Sequence, residues 1–384
     1  MQDIVIFGAG RWGRCALQYY KDQYNVVAFV DNDLRKNGTT VDGVSVYLPD
    51  YLKGREAVVI IANKKYEAQI KRQLYEDYGV ESAVVFSIGA RTELLYTDAE
   101  HNDDEIIVRF ISGLGNQLFQ YTLYRYMDNY GMNVSADLSF YGEPGSCMYS
   151  IQNVFPRVRI KKCSPELRRK YCNDSTYKEK CFKEKDLFEE SVEISREDVI
   201  SGRYRYIDGY HQCYFFAEDI EDILFEELKF PDKKESKLEG LGNKFSTENF
   251  VSVHIRRGDY LSDNEAWKYC GICDESYYKK AIDYIKSNCE SPRFVFFSDD
   301  IEWVRTNYGN EESIYISNDI FEEYQDWYDM YLMSCCKHNI IANSTFSWWG
   351  AWLNRHADKI VVAPARWVNA QARKNICPPE WIRI

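Results

Sequence analysis

Phe250-Val-Ser-Val-His-Ile-Arg-Arg-Gly-Asp-Tyr260 decides how this chain folds. Residues 250–255 are mostly apolar and rich in β-formers, and they stop abruptly at two arginines. Such a run reads as a strand buried on both faces, which is how strands of parallel sheets look. It would carry Arg256 and Arg257 to the carboxyl end of the sheet, where open α/β folds bind their ligands. Gly258 permits a tight turn there. Asp259 can hold one guanidinium while its fork meets phosphate oxygens in pairs. The task implied is holding a diphosphate as negative charge builds on it. A purely structural Arg–Asp pair at a strand end would read the same way.

Three further stretches have the same shape, a strand that runs into polar groups. Ile340-Ile-Ala-Asn-Ser-Thr-Phe-Ser-Trp-Trp-Gly-Ala-Trp-Leu353 predicts a short strand and then a helix starting near Ser344. Backbone N–H groups at that helix end, with the hydroxyls of Ser344, Thr345 and Ser347, suit an anion. Trp348, Trp349 and Trp352 read as core. Ile106-Ile-Val-Arg-Phe-Ile111 leads into Gly113-Leu-Gly-Asn-Gln117, with a helix expected over 118–130. Gly113 and Gly115 let backbone approach a ligand, and Asn116 offers an amide; a tight strand–helix turn is the plainer reading. Arg293-Phe-Val-Phe-Phe-Ser-Asp-Asp300 is a strand ending in Ser298, Asp299 and Asp300. Those acids suit either a ribose or the cap of the next helix. His254 suits a ribose or phosphate contact, and equally a packed strand histidine.

The chain has 384 residues, room for two or three domains. Its formal charge of −12 argues against a nucleic-acid partner. Twelve cysteines are scattered without a pairing framework. Met1-Gln-Asp-Ile-Val-Ile-Phe7 already reads as a strand and has no basic leader, and no apolar run approaches membrane-spanning length. The expectation is therefore a cytoplasmic protein with reduced, buried thiols. Cys270-Gly-Ile-Cys273 is a single CxxC without the second pair that zinc requires, so no metal is expected. Asn343-Ser-Thr345 has the form of a glycosylation sequon that a cytoplasmic chain would not use.

Residues 1–95 predict a small Rossmann-like accessory domain. A strand at Ile4–Phe7 meets Gly8-Ala-Gly-Arg-Trp-Gly13, a helix follows, and Val26–Val30 ends at Asp31. That is the dinucleotide-binding pattern, with Gly8, Gly10, Gly13 and Asp31 as its candidate nucleotide contacts. Only half of a two-part dinucleotide fold fits here, so a docking role stands beside the nucleotide one. A polar linker over 97–105 then marks a boundary. Further expectations are a strand at Asn133–Asp137, an amphipathic helix over 218–228, an exposed crossing over 231–239 and a helix over 322–336.

Four motifs taken together resemble one family. His254-Ile-Arg-Arg-Gly-Asp-Tyr260, Phe297-Ser-Asp-Asp300, Asn343-Ser-Thr-Phe-Ser-Trp-Trp-Gly350 and Gly113-Leu-Gly-Asn-Gln-Leu-Phe-Gln120 are similar to the α-1,2-fucosyltransferases of bacterial type, over residues 106–384. Tyr206-Ile-Asp-Gly-Tyr-His-Gln212 resembles another element of that family. The resemblance implies an α/β fold with a GT-B-like pair of Rossmann-like lobes, 106–240 on the acceptor side and 250–384 on the GDP-fucose side. It implies a metal-independent, inverting transfer of L-fucose from GDP-fucose to O2 of a terminal β-galactose, with no further cofactor. Catalytic roles then fall to Arg256, His254 and Asp259. Donor contacts fall to Arg257, Gly113, Gly115, Asn116, Gln117, Ser298, Asp299, Asp329, Ser344, Thr345 and Ser347, with Asp329 reading the guanine edge. Asp259, Asp137 and His254 are the candidate bases, unless phosphate takes the proton. The implied partners are GDP-fucose and a galactose-terminated glycan, with peripheral contact to membrane-linked glycan intermediates at the inner face of the membrane.

Competing readings remain. They are a transfer of other regiochemistry, a nucleotide-sugar sensor without turnover, a metal-dependent transferase using Asp31-Asn-Asp33, and an oxidoreductase led by residues 8–13.

Overall fold

Short apolar runs followed by polar or glycine-rich turns, with helices between them, build two parallel sheets and one that is parallel but for an edge strand. The computed structural model describes residues 2–21, 24–55, 57–62, 66–80, 83–86, 105–143, 146–173, 175–184, 193–232, 235–257, 273–308, 313–368 and 375–384. Asp259, Cys270 and most of the 97–105 linker lie outside these. The chain divides into two compact units, residues 1–97 with 142–145, and residues 98–141 with 146–384.

In the first unit, strands β1 (Asp3–Phe7), β2 (Asn25–Val30), β3 (Thr40–Val41), β4 (Val44–Tyr47), β5 (Val58–Ile61) and β6 (Ala83–Val85) form one sheet of order β3-β4-β2-β1-β5-β6. Only the β3–β4 pair is antiparallel. Val5, Ile6, Phe29 and Ile61 are buried without measurable exposure. Helix Arg11–Tyr20 follows β1 through a turn that needs its glycines. Gly8 has φ +109°, and a Cβ on Gly13 would sit 1.9 Å from the Gly8 carbonyl oxygen. Asp31 accepts from the Ala9 N–H at 2.8 Å, the Asp33 N–H at 2.9 Å and Lys36 Nζ at 2.9 Å. These bonds, led by the Lys36 side chain, outweigh burial and hold its carboxyl below the usual range. Asp33 is spent on Arg35. Both acids of Asp31-Asn-Asp33 are thus paired with cationic side chains of their own loop.

The second unit holds two sheets. Strands β7 (Ile106–Arg109), β8 (Val134–Asp137), β9 (Cys181–Lys183) and β10 (Tyr206–Asp208) run parallel in the order β8-β7-β10-β9. Strands β11 (Phe250–Ile255), β12 (Arg293–Ser298), β13 (Ile314–Ile316), β14 (His338–Ile340), β15 (Val361–Ala363) and β16 (Ile382–Arg383) run parallel in the order β13-β12-β11-β14-β15-β16. All six residues of β11 are buried. The strand read first from the sequence is thus interior to the larger sheet, flanked by β12 and β14. Val251, Val253 and Ile255 pack against helix Glu275–Asn288. On its other side, Ser252 meets a buried amide network, where Asn339 Nδ2 donates to Ser252 Oγ at 2.7 Å and Asn354 Nδ2 donates to Asn339 Oδ1 at 2.8 Å.

The helix after β7 starts four residues earlier than the sequence suggests. It runs Leu114–Asn129 with Gly113 at its N-cap, so Gly115, Asn116 and Gln117 form its first turn. The stretch expected as one helix over 218–228 is broken at Ile220 into Tyr214–Asp219 and Glu221–Glu227. The expected crossing over 231–239 runs at Ser236 into a helix that continues to Thr247. The helix expected from Glu322 begins only at Trp327 and runs to Cys335.

Aromatic rings join the two lobes of this unit. Phe119, on the Leu114 helix, lies 4.6 Å from Trp348 and 5.1 Å from Trp349, both on helix Thr345–Trp352. Phe225 stacks on Trp352 at 4.7 Å. The C-terminal residues tie the same seam: the Tyr214 N–H donates to the Asn375 carbonyl at 2.9 Å, and Trp348 Nε1 donates to the Ile376 carbonyl at 2.8 Å. Among the described residues no helix is long and apolar enough to cross a membrane.

Candidate active site at the junction of two helix ends

The Leu114 and Thr345 helices meet at their N-terminal turns. A Cβ on Gly115 would lie 2.6 Å from both the carbonyl carbon and Oγ1 of Thr345, and 2.7 Å from the Phe346 nitrogen. Only glycine lets the two helix ends come this close. Neither end is capped by a side chain: Gly113 has none, and the Ser344 hydroxyl makes no capping bond. Two helix starts with uncapped N–H groups and aligned dipoles therefore converge, a setting that favours negative charge.

β11 pairs in parallel with β14, the strand that leads into the Thr345 helix, so its carboxyl end lies on the same edge of the sheet as that helix start. Arg256 Nη1 is 3.0 Å from Asp299 Oδ2. The other oxygen of Asp299 accepts from the Arg257 backbone N–H at 2.9 Å. Arg257 goes elsewhere: its guanidinium lies 3.5 Å from the centre of the Trp303 ring, and Nε is 3.3 Å from Asp300 Oδ2. It borders a hollow of about 400 Å³ with Trp303, Tyr308, Tyr278 and Glu275 in its wall. Asp300 also caps the following helix by accepting from the Trp303 N–H at 3.3 Å, and Ser298 Oγ accepts from the Asp300 N–H at 3.0 Å. The choice between ribose and cap is thereby divided among three residues: Ser298 and Asp300 start the helix, and Asp299 holds Arg256.

His254 is buried on β11, 6.3 Å from the Phe346 ring, and its carbonyl accepts from the Tyr278 hydroxyl. Burial, reinforced by the Arg256 charge, pulls its pKa down to about 4. Its Nδ1 has no hydrogen-bond partner among the described residues. The imidazole is therefore neutral near pH 7, which leaves it no role as a phosphate-binding cation and a poor match to a general base. Asp137 is also unsuited to be the base. It is fully buried; Oδ2 accepts from Arg168 and the Tyr206 hydroxyl at 2.8 and 2.6 Å, and Oδ1 accepts from the Ser139 N–H.

Several expected donor contacts are occupied within the protein. Gln117 uses its whole amide: Nε2 donates to the Ser112 and Met148 carbonyls, and Oε1 accepts from the Ser150 and Ile151 N–H groups. With two donors and two acceptors engaged, nothing remains for a ligand. Asn116 donates to Ser112 Oγ at 3.0 Å and accepts from Gln212 Nε2 at 2.8 Å. Ser347 is buried and its hydroxyl faces backbone carbonyls, Ser344 O at 3.2 Å being the nearer. Ser344 and Thr345 remain half-exposed at the junction.

The sequence reading missed the residues that hold this turn. Ser112 has φ +67°. Its hydroxyl and carbonyl receive Asn116, Gln117 and Tyr141. Gln120 bridges the Ile111 N–H and the Gly209 carbonyl. A serine preceding Gly-x-Gly was the available clue to strain, but the long-range partners had none.

Asp329 lies on helix Trp327–Cys335, half-exposed overall, yet its Oδ1 is shielded and has no hydrogen-bond partner. Burial raises its carboxyl to about 7, against the lowering effect of a bond from Tyr324.

Residues 106–384 match the model of glycosyl transferase family 11. The chain belongs to that family. Residues 1–86 match a separate model, the C2185-like N-terminal domain. This family 11 glycosyltransferase is similar to the alpha-1,2-colitosyltransferase of Escherichia coli, 33% identical over 293 residues that cover 73% of the chain and 98% of the relative. It is 44% identical over 136 residues to the O-antigen biosynthesis glycosyltransferase WbnK of Escherichia coli, covering 35% and 45%. It is 31% identical over 141 residues to human galactoside alpha-(1,2)-fucosyltransferase 1, covering 35% and 38%. The relatives it matches are glycosyltransferases, one named for O-antigen biosynthesis and one for galactoside alpha-(1,2)-fucosyl transfer.

Proposed function

We propose that this glycosyltransferase moves L-fucose from GDP-fucose to O2 of a terminal β-galactose, with inversion and without a metal ion. The observation that carries the reading is the junction of two uncapped helix N-termini, at Gly115 and Thr345, in a lobe pair whose central strand ends in Arg256. As the glycosidic bond breaks, the leaving diphosphate gains charge. Preorganised N–H groups and a guanidinium stabilise that charge in place of a cation. Asp329 accepts from the guanine edge. The acceptor hydroxyl gives its proton to Asp259 or to the departing phosphate, since His254 and Asp137 are poorly placed for the task. The α-1,2 linkage rests on the names of two relatives, which agree on it. We place the reaction in the cytoplasm, on a galactose-terminated glycan intermediate.

A second donor has one observation in its favour. The relative covered over 98% of its length is a colitosyltransferase. Colitose would then be the sugar moved.

The test is acceptor-dependent GDP release from GDP-fucose and a β-galactoside in EDTA, for the native protein and Arg256→Ala. Release that survives EDTA and falls at least about a hundredfold in the variant is expected, as for loss of one preorganised charge-stabilising group. Loss of activity in EDTA, restored by a divalent ion, would overturn the metal-free mechanism. Turnover of a colitosyl donor but not GDP-fucose would move the assignment to the second donor.

A further inference from the structure

We infer that Asp299 is a positioning residue, acting through Arg256 rather than touching the donor; this rests on Arg256 being the diphosphate ligand. One carboxylate spans two adjacent strand ends. Oδ2 meets Arg256 Nη1 at 3.0 Å, and Oδ1 accepts the Arg257 backbone N–H at 2.9 Å. The second bond fixes the peptide just after Arg256, and the first fixes the guanidinium itself. Rotation of a long arginine side chain is thereby limited from both ends. Asp299 can do this because Ile255 and Ser298 are paired in register between β11 and β12. The residues that follow them are Arg256 and Asp299, so the pairing sets them side by side where the strands end. Its neighbour Asp300 cannot substitute, being spent on Arg257 and on the Trp303 N–H. The two acids of Ser298-Asp-Asp300 thus divide the two arginines between them. Arg257 is held against Trp303, and Arg256 is held at the carboxyl end of β11. A guanidinium held in advance by a carboxylate loses less freedom when it meets phosphate, and so stabilises the charge with less reorganisation.

The measurement is a double-mutant cycle on GDP affinity by titration calorimetry, using Asp299→Asn, Arg256→Ala and the pair. Asp299→Asn keeps the carbonyl that accepts from Arg257 and loses the charge that holds Arg256. The expected result is about tenfold weaker GDP binding for Asp299→Asn in the native background and less than about twofold in the Arg256→Ala background. A readout that a merely structural role would not move is guanidinium rescue. Millimolar guanidinium is expected to restore turnover to Arg256→Ala and not to the double variant. Equal losses in both backgrounds would overturn the inference, because Asp299 would then contact the nucleotide directly. If Arg256→Ala itself left GDP affinity unchanged, the phosphate role of Arg256 would fail first and the positioning role with it. Asp299→Glu keeps the charge and covers the case in which the asparagine variant misfolds. Retention of most affinity is expected there; loss equal to that of Asp299→Asn, with an unchanged melting temperature, would contradict the inference.

Discussion

Gln117 and Asp329 show how a residue's surroundings divide support from recognition. Gln117 has every donor and acceptor engaged by Ser112, Met148, Ser150 and Ile151. In Gln117→Leu the freed backbone groups lose their partners, at about 1–3 kcal/mol each where water cannot reach them. A stability loss of at least about 2 kcal/mol by urea unfolding is expected, with GDP affinity changed less than about twofold in the folded fraction; a large affinity loss at unchanged stability would return Gln117 to the ligand. Asp329 differs by having an unsatisfied oxygen. Its folded pKa of about 7 lies above the ordinary 3.8. Its contribution to the stability of the free protein is therefore fully present below about pH 4 and lost as pH rises through 7. Guanine needs the ionised form, so GDP affinity should move the other way, tightening about tenfold from pH 6 to pH 8. Calorimetry across that range is expected to show this slope and to find it absent in Asp329→Asn; the same slope in the variant would remove Asp329 from the site. At this scale the sequence located polar residues near strand ends but could not rank them. Whether an amide is spent or available depends on partners such as Gln212 and Met148, far away in the chain.

The elements that make the site are two helices packed together at their N-terminal turns. One start was legible: Ser344 follows a short apolar run, and the structure begins a helix there. The other was expected at Leu118 and begins four residues earlier, after Gly113. Their contact was not legible. Nothing in Gly113-Leu-Gly-Asn-Gln117 says that Gly115, rather than Gly113, faces Thr345, because a Cβ on Gly113 would meet nothing within 4 Å. The consequence is a sharp contrast between two neighbouring glycines. Gly115→Ala should force the helix ends apart, lowering kcat on the order of 10²-fold through misplacement of about 1 Å. Gly113→Ala, at φ −77° and with open space, should lower it less than about threefold. Steady-state kinetics on the two variants checks this; equal effects would show that the close contact is not what shapes the site. The broken helix at Ile220 was hidden for a related reason. Phe216, Ile220 and Leu224 keep helical spacing across the break and all are buried, so the apolar pattern is continuous where the backbone is not.

At the level of the whole molecule, parallel sheets were readable because β11, β12 and β7 are nearly unbroken apolar runs, which only a sheet covered on both faces can bury. The joining of lobes was less readable. Trp348, Trp349 and Phe119 are ordinary core residues by composition, and only the fold sets them on facing helices of different lobes. This aromatic seam fixes the helix ends on which the proposed chemistry depends. Rings so fully buried contribute several kcal/mol each by area alone. The first unit repeats the strand–glycine–helix theme at Gly8 and Gly13, but its acid, Asp31, is already bonded to Ala9, Asp33 and Lys36. The proposed chemistry needs the diphosphate at the junction, and a crystal structure with GDP measures that directly. The β-phosphate should lie within about 3 Å of Arg256 and of N–H groups in the first turn of the Thr345 helix; a diphosphate bound away from both, with Arg256 still closed on Asp299, would contradict it.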